Sequence, residues 1–216
     1  MIIWTIGLEG CGHHGLEAIF KEVIGRKHVE YYKLKRGLHE ICNDFVDHGD
    51  PTMFDKALNS FFNVKNQQLI HYIDNSFPSG FKKRGLIDQW QISEVYKHLS
   101  RFMPVKLIHL KRNIFNTINS HPSWDGGILG HAKKLTEINN FLLNELSTLK
   151  AQGVQIIEIN YEDIEQSSNV LSAIIEKDEN IIRTSIDKCF KPSKKCYKTR
   201  LDDKTIENIN KIIKND

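Results

Sequence analysis

Thr5-Ile6-Gly7-Leu8-Glu9-Gly10-Cys11-Gly12-His13-His14-Gly15-Leu16 closes one apolar run and opens another of different period. The run it closes, Ile2–Ile6, is continuously apolar apart from Thr5, as a strand covered on both faces reads. In the run it opens, Leu16, Ile19, Phe20, Val23 and Ile24 recur on one helical face, and Gly25 supplies a stop. Strand, glycine-rich loop and helix in that order predict the first unit of a parallel α/β sheet.

The rest of the chain repeats the alternation. Gln68–Ile73, Val105–Leu110 and Val154–Ile159 read as buried strands, and His28–Tyr32 as a weaker one. Ile92, Val95, Tyr96 and Leu99 mark a helix before Pro104. Leu135, Ile138, Leu142, Leu146 and Leu149 mark a longer one ending near Gly153. Asp202 can cap a last helix carrying Ile206, Ile209 and Ile213. The stretches 33–67 and 74–91 read as less regular insertions, suited to face a substrate beyond the strand C-termini.

Composition agrees. The chain has 216 residues, 40% hydrophobic and 26% charged, with no low-complexity stretch, so a single domain over residues 1–216 is expected. Thirty basic against 27 acidic residues leave +3, which argues against a nucleic-acid coat and allows a local positive pocket. Cys11, Cys42, Cys189 and Cys196 fit neither a zinc nor a thioredoxin spacing; Cys189 and Cys196, seven apart, could pair, but free thiols in a reducing cytosol are the expectation. The N-terminus lacks a basic leader, and no apolar run approaches the roughly 18 residues of a membrane span. A soluble cytoplasmic protein with no membrane partner is the expectation.

The loop itself has chemistry to offer. Gly7 and Gly12 stand at the spacing of a Walker A loop, with His13 and His14 where its Lys and Ser/Thr would be. Glycines let the backbone approach a ligand, and amides at a helix start point at an anion. Without the Lys and the Mg²⁺-holding hydroxyl, an ordinary ATPase or GTPase is disfavoured. A tight turn whose glycines serve only packing is the plainer alternative. Adjacent histidines point in different directions and no third ligand is evident, so no metal is expected.

Further on, Val105–Leu110 runs into Lys111-Arg112-Asn113, and Ser120 follows Arg112 by a little over two helical turns. A guanidinium and a hydroxyl on one face suit a phosphate monoester, while a surface Arg and an ordinary helical Ser are the plainer reading of these residues alone.

With these residues in place, the chain resembles the sulfotransferases that use 3′-phosphoadenosine 5′-phosphosulfate (PAPS). Thr5–His14 is similar to the family's loop for the 5′-phosphosulfate. Arg112-Asn113 followed by Ser120 has the family's spacing for the 3′-phosphate, and Phe102–Leu110 resembles its approach to that strand. Ile159-Asn160-Tyr161-Glu162-Asp163-Ile164 resembles a strand-end segment whose Tyr lies near the adenine. The resemblance implies a P-loop-like three-layer α/β/α fold with a parallel sheet of about five strands. It implies transfer of a sulfuryl group from PAPS to a hydroxyl or amine of a small-molecule or glycan acceptor, without a metal, leaving adenosine 3′,5′-bisphosphate. It implies Gly10, Cys11, Gly12, His13, His14, Arg112, Ser120 and Tyr161 as cofactor-binding. By region it also points to a basic loop with Lys191, Lys194, Lys195 and Arg200, for which a solvated charge run is the alternative.

One departure stands out. Where the family has a Lys two residues before the loop glycine, this chain has Gly10, and the family's two hydroxyl residues are His13 and His14. An imidazole from His13 or His14 is the expected replacement donor, with Lys82, Lys83 or Arg84 as alternatives. For the base that takes the acceptor's proton, Asp74 at the presumed end of its strand ranks ahead of Glu9, His39 and Asp44. Trp90, Trp124 and Tyr31-Tyr32 could line an acceptor pocket. A kinase-like phosphotransferase and a non-catalytic nucleotide-binding relic of the fold are the competing readings.

Overall fold

A computed structural model describes residues 1–25, 38, 41–42, 50–65, 70–77, 92–191 and 197–215. Four strands, β1 (Ile2–Leu8), β2 (His71–Phe77), β3 (Val105–Lys111) and β4 (Ile156–Asn160), form one all-parallel sheet in the order β2-β1-β3-β4. The sheet is therefore one strand short of the expected five among the described residues, and the weaker candidate His28–Tyr32 lies outside them.

Helices flank the sheet in a three-layer α/β/α arrangement. They are α1 (His13–Ile24), α2 (Pro51–Lys65), α3 (Ile92–Leu99), α4 (Ile114–Ser120), α5 (Ile128–Ala151), α6 (Ser168–Ile175), α7 (Glu179–Cys189) and α8 (Asp203–Asn215). α7 packs on α1 and α6, while α3 and α8 pack on α5. The cap expected at Asp202 is present: its Oδ1 accepts from Thr205 N at 2.7 Å.

β1 is buried along its whole length, with Ile2, Ile3, Trp4 and Ile6 inaccessible to solvent. That is why it reads as a continuous apolar run. The Trp4 indole donates to Asn75 Oδ1 at 2.7 Å, so the neighbouring strand satisfies the one polar atom this large side chain brings inside.

Two expectations need correction. β2 begins at His71 and runs to Phe77, so Asp74 lies in mid-strand opposite Thr5 and not at the strand's end. The polar residues Asp74 and Asn75 stay in the strand because each finds a buried partner there. The stretch 33–67 also contains a regular element: in α2, Phe54, Leu58, Phe61 and Phe62 are buried at helical spacing. Asp50 caps that helix through Oδ1, accepting from Thr52 N and Met53 N at 2.9 and 3.1 Å.

The strand order fixes where a ligand can sit. The chain steps outward from β1 to β2, then crosses back to put β3 on the other side of β1. The winding reverses between β1 and β3, and the crevice beyond their C-termini is the topological switch point of such a sheet. The loop after β1 and Arg112 after β3 both open onto it.

Candidate functional site

The loop Glu9–Gly12 turns sharply. Gly10 and Gly12 have φ of +93° and +96°, which residues with a Cβ rarely adopt. Gly12 is the N-cap of α1 and offers no side-chain cap, and the first turn of the helix carries no acidic residue. Gly15 N and Leu16 N turn back to the Gly12 carbonyl at 2.9 and 3.3 Å. The amides of Gly12, His13 and His14 have no hydrogen-bond partner among the described residues. Unclaimed amides at the positive end of a helix dipole form an anion cradle.

Three side chains from three other elements close on this loop. Arg112, at the end of β3, donates from Nη1 to the Gly10 carbonyl at 2.7 Å. Its guanidinium lies 4.5 Å from the centre of the Tyr161 ring, and its Nε is 3.9 Å from Glu162 Oε1. Ser120, the last residue of α4, places its Oγ where a Cβ on Gly10 would stand. Tyr161, just beyond β4, places its ring where a Cβ on Gly12 would stand, and Phe190 backs it edge-on at 5.2 Å.

This accounts for the glycine at position 10. A lysine there would need a left-handed backbone and would collide with Ser120. The loop keeps Gly10 and Gly12 because Ser120 and Tyr161 occupy the space that side chains would fill.

His13 and His14, indistinguishable in the sequence, separate completely. The His14 side chain is 91% exposed and lies 3.7 Å from Glu17, pointing away from the loop. The His13 side chain is 9% exposed and turns back over the sheet, where its Nδ1 is hydrogen-bonded to Asp74 Oδ1. Its Nε2 is buried beside Gly7 without a well-formed hydrogen bond. Burial alone would lower the His13 pKa. The Asp74 carboxylate and its hydrogen bond, with the Gly7 and Leu8 carbonyls facing the ring, outweigh burial and raise it above 6.5. His109 on β3 shows the contrast: burial dominates there, only partly opposed by Glu158, and its pKa falls to about 4.

Cys11 is buried under the loop with Sγ 3.8 Å from Thr117 Oγ1, and burial raises its thiol to about 11. It supports the loop from beneath and presents no reactive thiolate. Glu9 is half-buried in the loop.

The C-terminal basic region meets the site at its flanks. Phe190 packs on Tyr161; Tyr197 stacks on Phe115 at 4.9 Å and donates its amide to Asn116 Oδ1 at 3.0 Å. Lys191 and Arg200 are exposed, and Lys194 and Lys195 lie outside the described residues. So do His39, Asp44, Lys82, Lys83, Arg84, Trp90, Tyr31 and Tyr32.

Trp124 is stacked on His121 at 3.7 Å, and His121 Nδ1 is 2.8 Å from Ser120 Oγ. Trp124 was read from the sequence as a possible lining of an acceptor pocket; His121, which joins it to Ser120, was passed over, although Ser120-His121-Pro122-Ser123-Trp124 shows a turn between two ring-bearing residues. No family model matches the chain, and no curated protein matches it.

Proposed function

We propose that this chain transfers a sulfuryl group from PAPS to a hydroxyl or amine of a small-molecule or glycan acceptor. One observation carries the reading: Arg112, Ser120 and Tyr161, arriving from three elements, all press on the glycine loop at the switch point of the sheet. The resemblance assigns Arg112 and Ser120 to the 3′-phosphate and Tyr161 to the adenine, and the loop they press on to the 5′-phosphosulfate.

The residues present fit such a group. The unclaimed amides of Gly12, His13 and His14 suit the 5′-phosphosulfate. Arg112 uses one nitrogen on Gly10 and keeps further donors for the 3′-phosphate; the Ser120 hydroxyl, also against Gly10, donates to the Thr117 carbonyl and would turn from it to reach that phosphate. Tyr161 offers an aromatic edge for a base. When bound, PAPS supplies the activated sulfuryl group. His13 would take the place of the family's lysine beside the loop, with Asp74 holding its ring and raising its pKa. Asp74 is then a positioning residue and not the acceptor's base.

A relic of the fold that binds the nucleotide without turnover is favoured by one observation, the closure of position 10 to any side chain. Two measurements separate the readings. Melting curves with adenosine 3′,5′-bisphosphate, PAPS, ATP and ATP–Mg²⁺ should show a midpoint raised by about 5–10 °C at ~100 Kd of the bisphosphate, and little change with ATP–Mg²⁺. A single-turnover assay with labelled PAPS and an acceptor mixture should release sulfate ester. Binding without transfer supports the relic, and a shift with ATP–Mg²⁺ alone supports a phosphotransferase.

A further inference from the structure

The Arg112 side chain is 9% exposed and carries a fork of N–H donors. Nη1 is engaged with the Gly10 carbonyl at 2.7 Å. Nε is buried without a hydrogen-bond partner among the described residues. The group facing it is the carboxylate of Glu162, whose Oε1 lies 3.9 Å away, too far for a hydrogen bond. The first turn of α4 holds the carboxylate there: Oε1 accepts from the Asn113 amide at 3.2 Å and from Asn116 Nδ2 at 3.4 Å. Among the described residues Glu162 makes no other ion pair.

A phosphate and a carboxylate ask the same of a guanidinium, two donors side by side along one edge. With Nη1 on Gly10, the edge left whole is Nε with Nη2, and Glu162 is the anion beside it. One short 3₁₀ turn after β4, Tyr161–Gln166, delivers both of its neighbours. Tyr161 lays its ring 4.5 Å from the guanidinium centre, and Glu162 sets its charge against the Nε edge. The opposition is felt at the loop. Burial dominates the raised pKa of the Cys11 thiol, but Arg112 lowers it and Glu162 raises it. Asp163, the next residue, is turned elsewhere: its Oδ2 accepts from Asn160 Nδ2 at 3.1 Å.

We propose that Glu162 is a built-in rival of the nucleotide's 3′-phosphate for Arg112, and that it sets how tightly the site holds a 3′-phosphorylated nucleotide and how fast it releases one. This rests on the reading above in one respect, that Arg112 takes the 3′-phosphate. With no nucleotide bound, the carboxylate offsets a guanidinium that is otherwise buried with a spare donor. An arriving phosphate takes the Nε edge. The carboxylate then stays within repelling distance or turns to solvent, which its 42% exposure allows. Either way the bound state is raised in energy, and donor and product, which share the 3′-phosphate, are both held less tightly. A nucleotide without that phosphate leaves the pair alone.

The test measures Kd and dissociation rate of the full chain for adenosine 3′,5′-bisphosphate and for adenosine 5′-monophosphate, in the parent, Glu162→Gln and Asp163→Asn. Gln keeps an oxygen for the Asn113 amide and Asn116 and removes the charge. Glu162→Gln is expected to bind the bisphosphate about 5–10-fold more tightly at ~50 mM salt, chiefly through slower dissociation, and the monophosphate within about 2-fold of the parent. The gap should shrink at ~0.5 M salt, where half-exposed charges are screened. Asp163→Asn should match the parent with both nucleotides. Glu162→Ala covers the case in which the Gln variant does not fold, and should move in the same direction. Unchanged or weaker binding of the bisphosphate overturns the proposal, the weaker result making Glu162 a positioning residue for Arg112. Equal tightening of both nucleotides, or the same tightening in Asp163→Asn, also overturns it, because net charge alone would then be the cause. Those outcomes leave the sulfotransferase reading standing. A parent chain that binds neither nucleotide removes that reading and this proposal together.

Discussion

The imidazole of His13 and the carboxylate of Asp74 share a hydrogen bond across 61 residues of chain, joining the first turn of α1 to the middle of β2. The same contact fixes the ring over the sheet and, against the effect of burial, raises its pKa above the ordinary value.

Its stability should therefore depend on pH with a definite sign. The His13 pKa is raised on folding, so the pair's contribution is complete below the unfolded value of about 6.5 and disappears as pH rises through the folded value. Asp74→Asn should cost about 3 kcal/mol near pH 6. Urea melts of both chains from pH 5.5 to 9 should show the gap narrowing toward the alkaline end. A gap constant across that range would disprove a charged pair.

Restoring a side chain at position 10 should harm the loop. Gly10→Ala places a Cβ on Ser120 Oγ in a left-handed backbone and should cost about 2 kcal/mol. In the double variant with Ser120→Ala the two losses should fall short of additivity by about 1 kcal/mol, read from denaturant midpoints. Strict additivity would mean that the two residues do not touch.

Arg112→Lys should be costly despite the retained charge. Lysine cannot reproduce both the Gly10 bond and the face-on contact with Tyr161, so a loss of about 1–3 kcal/mol is expected. The melting shift with adenosine 3′,5′-bisphosphate should vanish with it. An unchanged shift would place the 3′-phosphate elsewhere.

Cys11 should be inert to thiol reagents in the folded chain. With its thiol near 11, only about one part in a thousand is ionised at pH 8, and the group is buried. A disulfide reagent should label half-buried Cys189 first and Cys11 only after urea is added. Fast labelling of Cys11 under native conditions would show that the loop opens readily.

The first strand, loop and helix were legible because β1 is covered on both faces and α1 on one, so each declares its period. β2 was not, because Asp74 and Asn75 look like turn residues until His13 and Trp4, distant in sequence, are known to hold them. α2 was available in principle: Asp50-Pro51 is a helix start, and Phe54, Leu58, Phe61 and Phe62 carry the spacing. Arg112, Ser120 and Tyr161 were reached through the resemblance, but that they press on two glycines is a fact of three dimensions. That Glu162 and not Asp163 turns toward Arg112 could not be read from Tyr161-Glu162-Asp163 alone.

The interlock of Gly10 with Ser120, and of Gly12 with Tyr161, also bears on descent. A lysine at position 10 would have to take a left-handed backbone and displace the Ser120 hydroxyl. Each glycine can therefore be replaced only together with its partner, and the two positions of each pair are bound to change in step.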